Sequence, residues 1–213
     1  MVSGNQALCN VRMLHDFADA LAHVHRGVAE VGDPAPAIDL PSLVGATRVR
    51  AGERGLVGTV CATAAEAVGQ ADLVILCVPV GAMDSVALEI AAHLAPGVVV
   101  SDVGSSKQTV AASLAEALPG VAVIPAHPVA GTERSGPDAG FASLFHNRWC
   151  IVTPPEGADP AQVEALTALW QALGAKVEVM DARHHDMVLA VTSHLPHLIA
   201  YTIVGTASDL EGV

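Results

Sequence analysis

Charge is scarce in this chain, and positive charge most of all. Only 15% of the 213 residues are charged, only two of those are lysines, and the formal net charge is −12. Nucleic acids and anionic membranes are bound through a basic face, so neither is expected as a partner. Cysteines are few and dispersed: Cys9, Cys61, Cys77 and Cys150 form no C-x-x-C pair. Reduced, mostly buried thiols in a cytoplasmic protein are expected rather than a disulfide framework or a zinc site. The N-terminus lacks a basic stretch leading into an uninterrupted apolar core, so no secretory signal is read there. No repeat or low-complexity tract is present. What the chain has instead is apolar residues, 52% of the total, enough to bury a sizeable core. Residues 187–207 approach membrane-spanning length, but His194, Pro196 and His197 near the middle would be costly in lipid, and a soluble helix is expected.

The pattern from residue 71 onward alternates strand and helix. Residues 71–80 are a continuous apolar run rich in β-branched side chains, which suits a strand covered on both faces. Met83, Val86, Ile90 and Leu94 recur at helical spacing before Pro96-Gly97, and Val98-Val99-Val100 is a second buried strand. A helix capped by Ser105 or Ser106 carries Val110, Leu114 and Leu118, and residues 121–124 form a third strand. This order predicts a doubly wound α/β sheet with right-handed crossovers. A strand at 149–153, a helix at 160–173 and a strand at 176–180 are expected to extend it. From about Arg183 a long, nearly all-apolar helix runs to the last residue and must be covered by something. The chain is therefore expected to stop inside the first helix of a second, helical domain. Residues 1–54 stand apart: five of the eight arginines lie between Arg12 and Arg54, and prolines interrupt the one helical pattern.

Three polar groupings sit where elements end or turn inward: Ser101-Asp102-Val103-Gly104-Ser105-Ser106-Lys107, His127-Pro128-Val129-Ala130-Gly131-Thr132-Glu133, and Ser193-His194-Leu195-Pro196-His197. In an open α/β sheet ligands bind beyond the carboxyl ends of strands, where Cys77-Val78-Pro79, Asp102 to Ser105 and Ala126-His127-Pro128 all fall. His127 is the candidate base, because imidazole titrates nearest neutrality and a glycine-bearing loop can hold a site. A structural histidine is the alternative. Ser193 and His197 share one helix face and must either bond each other or line a ligand pocket. The H-x-x-H spacing lacks a recurring third ligand, so no metal is expected.

As an ordered set, D-x-G-S-x-K, H-P-V-A-G-T-E and S-H-L-P-H resemble the prephenate/arogenate (cyclohexadienyl) dehydrogenases of tyrosine biosynthesis, over about Gly55 to Val213. The resemblance implies a Rossmann-like doubly wound parallel sheet, incomplete at the N-terminus, followed by the first helix of an all-α dimerisation domain. Its implied boundaries are an atypical segment at 1–54, a dinucleotide-binding domain at 55–181, and a truncated helical domain at 182–213. The implied reaction is NAD- or NADP-dependent oxidative decarboxylation of prephenate or arogenate. By resemblance His127 is the catalytic histidine, oriented by Ser105, while Glu133, Ser193 and His197 bind substrate. Val78, Pro79, Asp102, Gly104 and Ser105 are then expected at the cofactor, and the full-length enzyme is expected to be a homodimer.

Two features depart from that family. No G-x-G-x-x-G follows an opening strand; Gly52, Gly55 and Gly58 are spaced G-x-x-G-x-x-G instead. The family's substrate-binding arginine would lie beyond Val213, and Arg134, Arg148 and Arg183 do not match its position. An inactive truncated or frame-shifted fragment is thus one alternative. A β-hydroxyacid dehydrogenase is another, although neither Lys107 nor Lys176 sits where such enzymes place their acid/base lysine.

Overall fold

A computed structural model describes residues 11–14, 37–38, 50–55, 57–131 and 138–211. Its larger sheet has six parallel strands: β1 (Val11–Leu14), β2 (Ala37–Ile38), β3 (Thr59–Val60), β4 (Leu73–Leu76), β5 (Val99–Asp102) and β6 (Ala122–Val123). The spatial order is β3-β2-β1-β4-β5-β6. β1 pairs with β4 from Val11↔Leu73 to Leu14↔Leu76, and β4 pairs with β5 from Leu73↔Val99 to Leu76↔Asp102. The winding therefore proceeds outward from β1 in one direction and from β4 in the other. That is the doubly wound arrangement, with its reversal between β1 and β4. Two of the strands come from residues 1–54, which the sequence pattern set apart; the sheet does not begin at residue 55.

The apolar run of β4 is explained by what covers it. Val74 and Leu76 belong to one core, with α1 (Ala64–Val68), α2 (Met83–Ile90) and α3 (Gln108–Ala117) contributing Val68, Ile90 and Leu114. Ile75 points to the other core, built around Phe145, Leu166 and Trp170. Side chains alternate along a strand, so a strand covered twice has no polar positions to spare. In the second core Trp170 and Phe145 meet edge to face with centroids 5.3 Å apart, and burying each such ring stabilises the fold by roughly 1.5–3 kcal/mol.

The strands at 149–153 and 176–180 do not extend the large sheet. β8 (Trp149–Val152) lies between β7 (Ala126–Pro128), antiparallel, and β9 (Lys176–Val179), parallel, in a separate three-stranded sheet. The break is local and has a cause. Ile124 still donates to the Val100 carbonyl, whereas the Pro125 carbonyl accepts from Thr153 N–H at 2.8 Å. The N–H next in line on the side facing β5, that of Ala126, goes to the Asp102 side chain instead of a backbone carbonyl, and the Pro125 carbonyl faces β8, so the chain changes sheets there.

Between β8 and β9 runs α4 (Pro160–Ala172), with Asp159 accepting from Ala161 N–H and Pro160 in the first turn. After β9, Asp181 caps α5 (Ala182–Leu189) by accepting from His184 N–H. A π-helical turn at Ala190–His194 follows, then α6 (Leu195–Glu211). Pro196 has no N–H for the carbonyl four residues back, which falls inside the π turn, and such insertions mark where an α-helical ladder is interrupted. Residues 182–208 are long and apolar enough to cross a membrane by length and composition. Most of α6 is exposed, with Tyr201 at 77% and Leu198 at 64%. This fits the expectation of a helix left uncovered by the rest of the chain.

Candidate active site

Asp102 ends β5 and is fully buried. Its Oδ2 accepts from Gly104 N–H at 2.7 Å and from Lys107 Nζ, while Oδ1 accepts from Ala126 N–H at 3.3 Å. Lys107 Nζ, equally buried, also donates to the Ala126 carbonyl at 2.7 Å. Burial pushes the Asp102 carboxyl up and the Lys107 ammonium down, and each is held back by the other's charge. Gly104 is required by this turn: a Cβ there would lie 2.9 Å from Asp102 Oδ2 and 3.1 Å from Met83. Asp102 and Gly104, expected at the cofactor, are both buried, and the Asp102 carboxylate is taken up in clamping β5 to β7. Val78 is buried and Pro79 exposed just beyond the carboxyl end of β4, beside the reversal of winding.

That clamp fixes the residue after Ala126. His127 lies in β7 itself, opposite Ile151, and not in an irregular loop; Val129 to Gly131, just beyond it, are non-regular. It is 8% exposed. Its Nδ1 is 2.8 Å from His185 Nε2, and His185 Nδ1 is 2.8 Å from Asp186 Oδ1. Ser105, expected to orient His127, is not the bonded partner; His185 is. The two imidazoles meet edge to face, with centroids 5.1 Å apart. Asp186 in turn accepts from Lys107 N–H (Oδ1, 2.8 Å) and Gln108 N–H (Oδ2, 3.0 Å). It thereby caps α3 in place of the expected Ser105 or Ser106. For Asp186, burial would raise the pKa, but these backbone donors and His185 outweigh it and hold it down to about 2. Burial first, then the neighbouring His185 and Lys107, bring His127 down to about 3, so its imidazole is neutral.

His127 opens onto a cavity of about 580 Å³ lined also by Ser105, Val129, Ala130, Gly131, Arg148, Leu189, Ser193, His194 and His197. That is an ordinary size for a small-molecule site. Three of the polar groupings singled out in the sequence thus meet here, with Ser105, His127, Ser193 and His197 on one cavity. Glu133 lies outside the described residues. Among the described residues no cluster of three or more His, Cys, Asp or Glu is placed to hold a metal ion.

The sequence reading missed His185 and Asp186, and passed over Arg148 as a cavity residue. One signal was available: His185, Leu189, Ser193 and His197 recur every fourth residue. An α-helix has 3.6 residues per turn, so such a repeat drifts about 40° per step. The wider π turn at Ala190–His194 takes back part of that drift and keeps the set on one side.

Comparison with known proteins places the chain beside one family. The family model described as prephenate dehydrogenase, nucleotide-binding domain, matches residues 44–179, and that described as prephenate dehydrogenase, dimerization domain, matches residues 181–212. The cyclohexadienyl dehydrogenase of Zymomonas mobilis is 49% identical over 147 residues, which are 68% of this chain and 50% of that protein. The prephenate dehydrogenase of Bacillus subtilis is 34% identical over 149 residues, 68% of this chain and 40% of that protein. The chain thus spans half or less of the length of these relatives. Among solved structures, prephenate dehydrogenase from A. aeolicus in complex with hydroxyphenyl propionate and NAD+ has a TM-score of 0.82 at 25% identity, covering 93% of this chain and 69% of that one. Synechocystis arogenate dehydrogenase has a TM-score of 0.78 at 27% identity, covering 92% and 68%.

Proposed function

The chain belongs to the prephenate dehydrogenase family, and from that premise we propose that it carries the NAD- or NADP-dependent oxidative decarboxylation of prephenate or arogenate in tyrosine biosynthesis. The observation that supports this reading most is His127: a neutral imidazole with Nδ1 engaged by His185 and its other edge on the cavity shared with Ser105, Ser193 and His197. Such a group accepts a hydroxyl proton through Nε2. The cofactor's place is the crevice at the carboxyl ends of β1 and β4, where the winding reverses. Val78 and Pro79 fit it as an apolar wall, and Ser105 offers a hydroxyl from the end of the next strand. When bound, the nicotinamide supplies the hydride acceptor.

The protein's own part is positioning and one proton. Ser193 and His197 hold the substrate ring from the α5–α6 side, with Glu133 as the expected partner from the histidine loop. Arg148, the one Lys or Arg among the described residues lining the cavity, is suited to a substrate carboxylate. As the ring carbinol is oxidised, its hydroxyl proton passes to His127 Nε2. Asp186, behind His185, then offsets the positive charge that the imidazole acquires. Loss of carbon dioxide leaves an aromatic ring and drives the step forward. The β-hydroxyacid alternative is disfavoured because Lys107 is sealed in its ion pair and Lys176 does not line the cavity.

This reading carries a division of labour: a dinucleotide-binding domain up to about residue 181, and from 182 the beginning of a helical unit that makes a homodimer in the cytoplasm. The exposed apolar side chains of α6 suit such an interface. Reduction of NAD+ and NADP+ by the purified chain, followed with prephenate and with arogenate, tests the activity. One pairing is expected to turn over, and H127N is expected to lower its kcat by about 10²–10⁴-fold. Turnover unchanged in H127N, or no reduction with any pairing, overturns the proposal.

A further inference from the structure

We propose that His185 and Asp186 are positioning residues that hold His127 in a single tautomer, with Nδ1 protonated and Nε2 bare. The catalytic meaning of that tautomer rests on the function proposed above; the tautomer itself does not. Two contacts in line fix where each ring hydrogen sits. The Asp186 carboxylate is fixed by the N–H groups of Lys107 and Gln108 and can only accept. His185 Nδ1, at 2.8 Å, must therefore carry a hydrogen and donate it. His185 is fully buried, and burial lowers its pKa despite Asp186, so it is neutral and its Nε2 is a bare lone pair. A bare Nε2 at 2.8 Å from His127 Nδ1 requires the hydrogen to sit on His127 Nδ1. Neutral His127 has only one ring hydrogen, so Nε2 presents its lone pair to the cavity. Moving only the His127 hydrogen to Nε2 would set two lone pairs against each other at the contact with His185, and reversing His185 as well would instead set its bare Nδ1 against the Asp186 carboxylate.

The contacts also join two parts of the molecule. Asp186 and His185 lie on α5, whereas His127 lies in β7 and the capped amides open α3. The imidazole is thus set by how the first helix after the nucleotide-binding region seats on that region. His184, one residue earlier, is exposed and takes no part.

Long-range ¹H–¹⁵N spectra of the imidazole rings in the ¹⁵N-labelled chain read the tautomers directly, with H127N assigning the signal. At neutral pH both His127 and His185 are expected in the Nδ1–H form. His127 found as Nε2–H overturns the proposal, whatever the activity. H185F removes the acceptor, so the His127 signal is expected to move toward Nε2–H and kcat to fall by roughly 10²–10⁴-fold with KM little changed. H185Q keeps the polarity, since its amide oxygen accepts from His127 and its NH₂ donates to Asp186. It is expected to keep the Nδ1–H signal and most of the rate. If H185F fails to fold, H185Q and D186N carry the test: H185Q losing the Nδ1–H signal, or D186N leaving signal and rate as in the wild type, overturns the assignment. An Nδ1–H signal in a wild-type chain that turns over neither substrate counts against the proposed reaction and leaves the tautomer assignment standing.

Discussion

Two polar clusters flank β7, and they differ in every physical respect that matters. The Asp102–Lys107 cluster is sealed, with both side chains at 0% exposure and their hydrogen-bonding groups spent on each other, Gly104 and Ala126. The cluster around His127 is open on one side: Ser105, Ser193 and His197 share a cavity, and among the described residues none of their side chains has a hydrogen-bond partner in the fold. Both are built from motif residues that look equally functional in a sequence. The sealed one forms the frame, and the open one is left with unspent donors and acceptors for a ligand. A motif's polar residues act on substrate only where the fold leaves them something to bond.

The comparison breaks most sharply at Lys107. K107M leaves the Asp102 carboxylate buried and unpaired, which is expected to cost about 3–5 kcal/mol in urea unfolding. The double variant with D102N is expected to cost less than K107M alone, because no uncompensated charge remains. Equal losses in the two would mean that the pair is not the clamp.

A smaller effect comes from acid. Above about pH 6.5 His127 is neutral in both the folded and unfolded chain. Below that, the unfolded chain takes up a proton that the folded site refuses until about pH 3. Stability is therefore fully present above 6.5 and falls with decreasing pH, by about 2 kcal/mol at pH 5. His185 adds to the same trend. The slope of unfolding free energy between pH 7 and 5 should flatten in H127N; an unchanged slope would show that His127 protonates in the folded state as readily as in the unfolded one.

The smallest effect is expected on the open side. S193A removes a hydroxyl with no partner in the fold, so stability should stay within about 0.5 kcal/mol, while KM for the ring substrate rises by up to about tenfold, the value of one hydrogen bond. A large loss of stability with KM untouched would reverse the assignment of frame and site.

Much of this could be read beforehand, and the exceptions have causes. β4, α2, β5, α3 and α4 follow from apolar runs and helical spacing that their burial explains. β1 and β2 could not be read the same way, because one is four residues long and carries Arg12, and the other has two residues. That β8 and β9 form their own sheet depends on hydrogen bonds around Pro125, which no periodicity encodes. His127, Ser105, Ser193 and His197 were visible as polar residues at element ends or within an apolar helix. Asp102 was visible too, but its burial depends on Lys107 folding back over it. His185 and Asp186 look like an ordinary polar first turn of a helix; only the packing of α5 on β7 and on the start of α3 gives them their partners.

The π turn at Ala190–His194 acts as a phase setting for everything after it. Deleting one residue there would turn each side chain from Leu195 onward by about 100° about the helix axis. His197 would swing off the cavity in the same motion that re-aims the exposed row containing Leu198 and Tyr201. The lining of the cavity and the bearing of the apolar surface are therefore geared together, and neither can be re-indexed without the other.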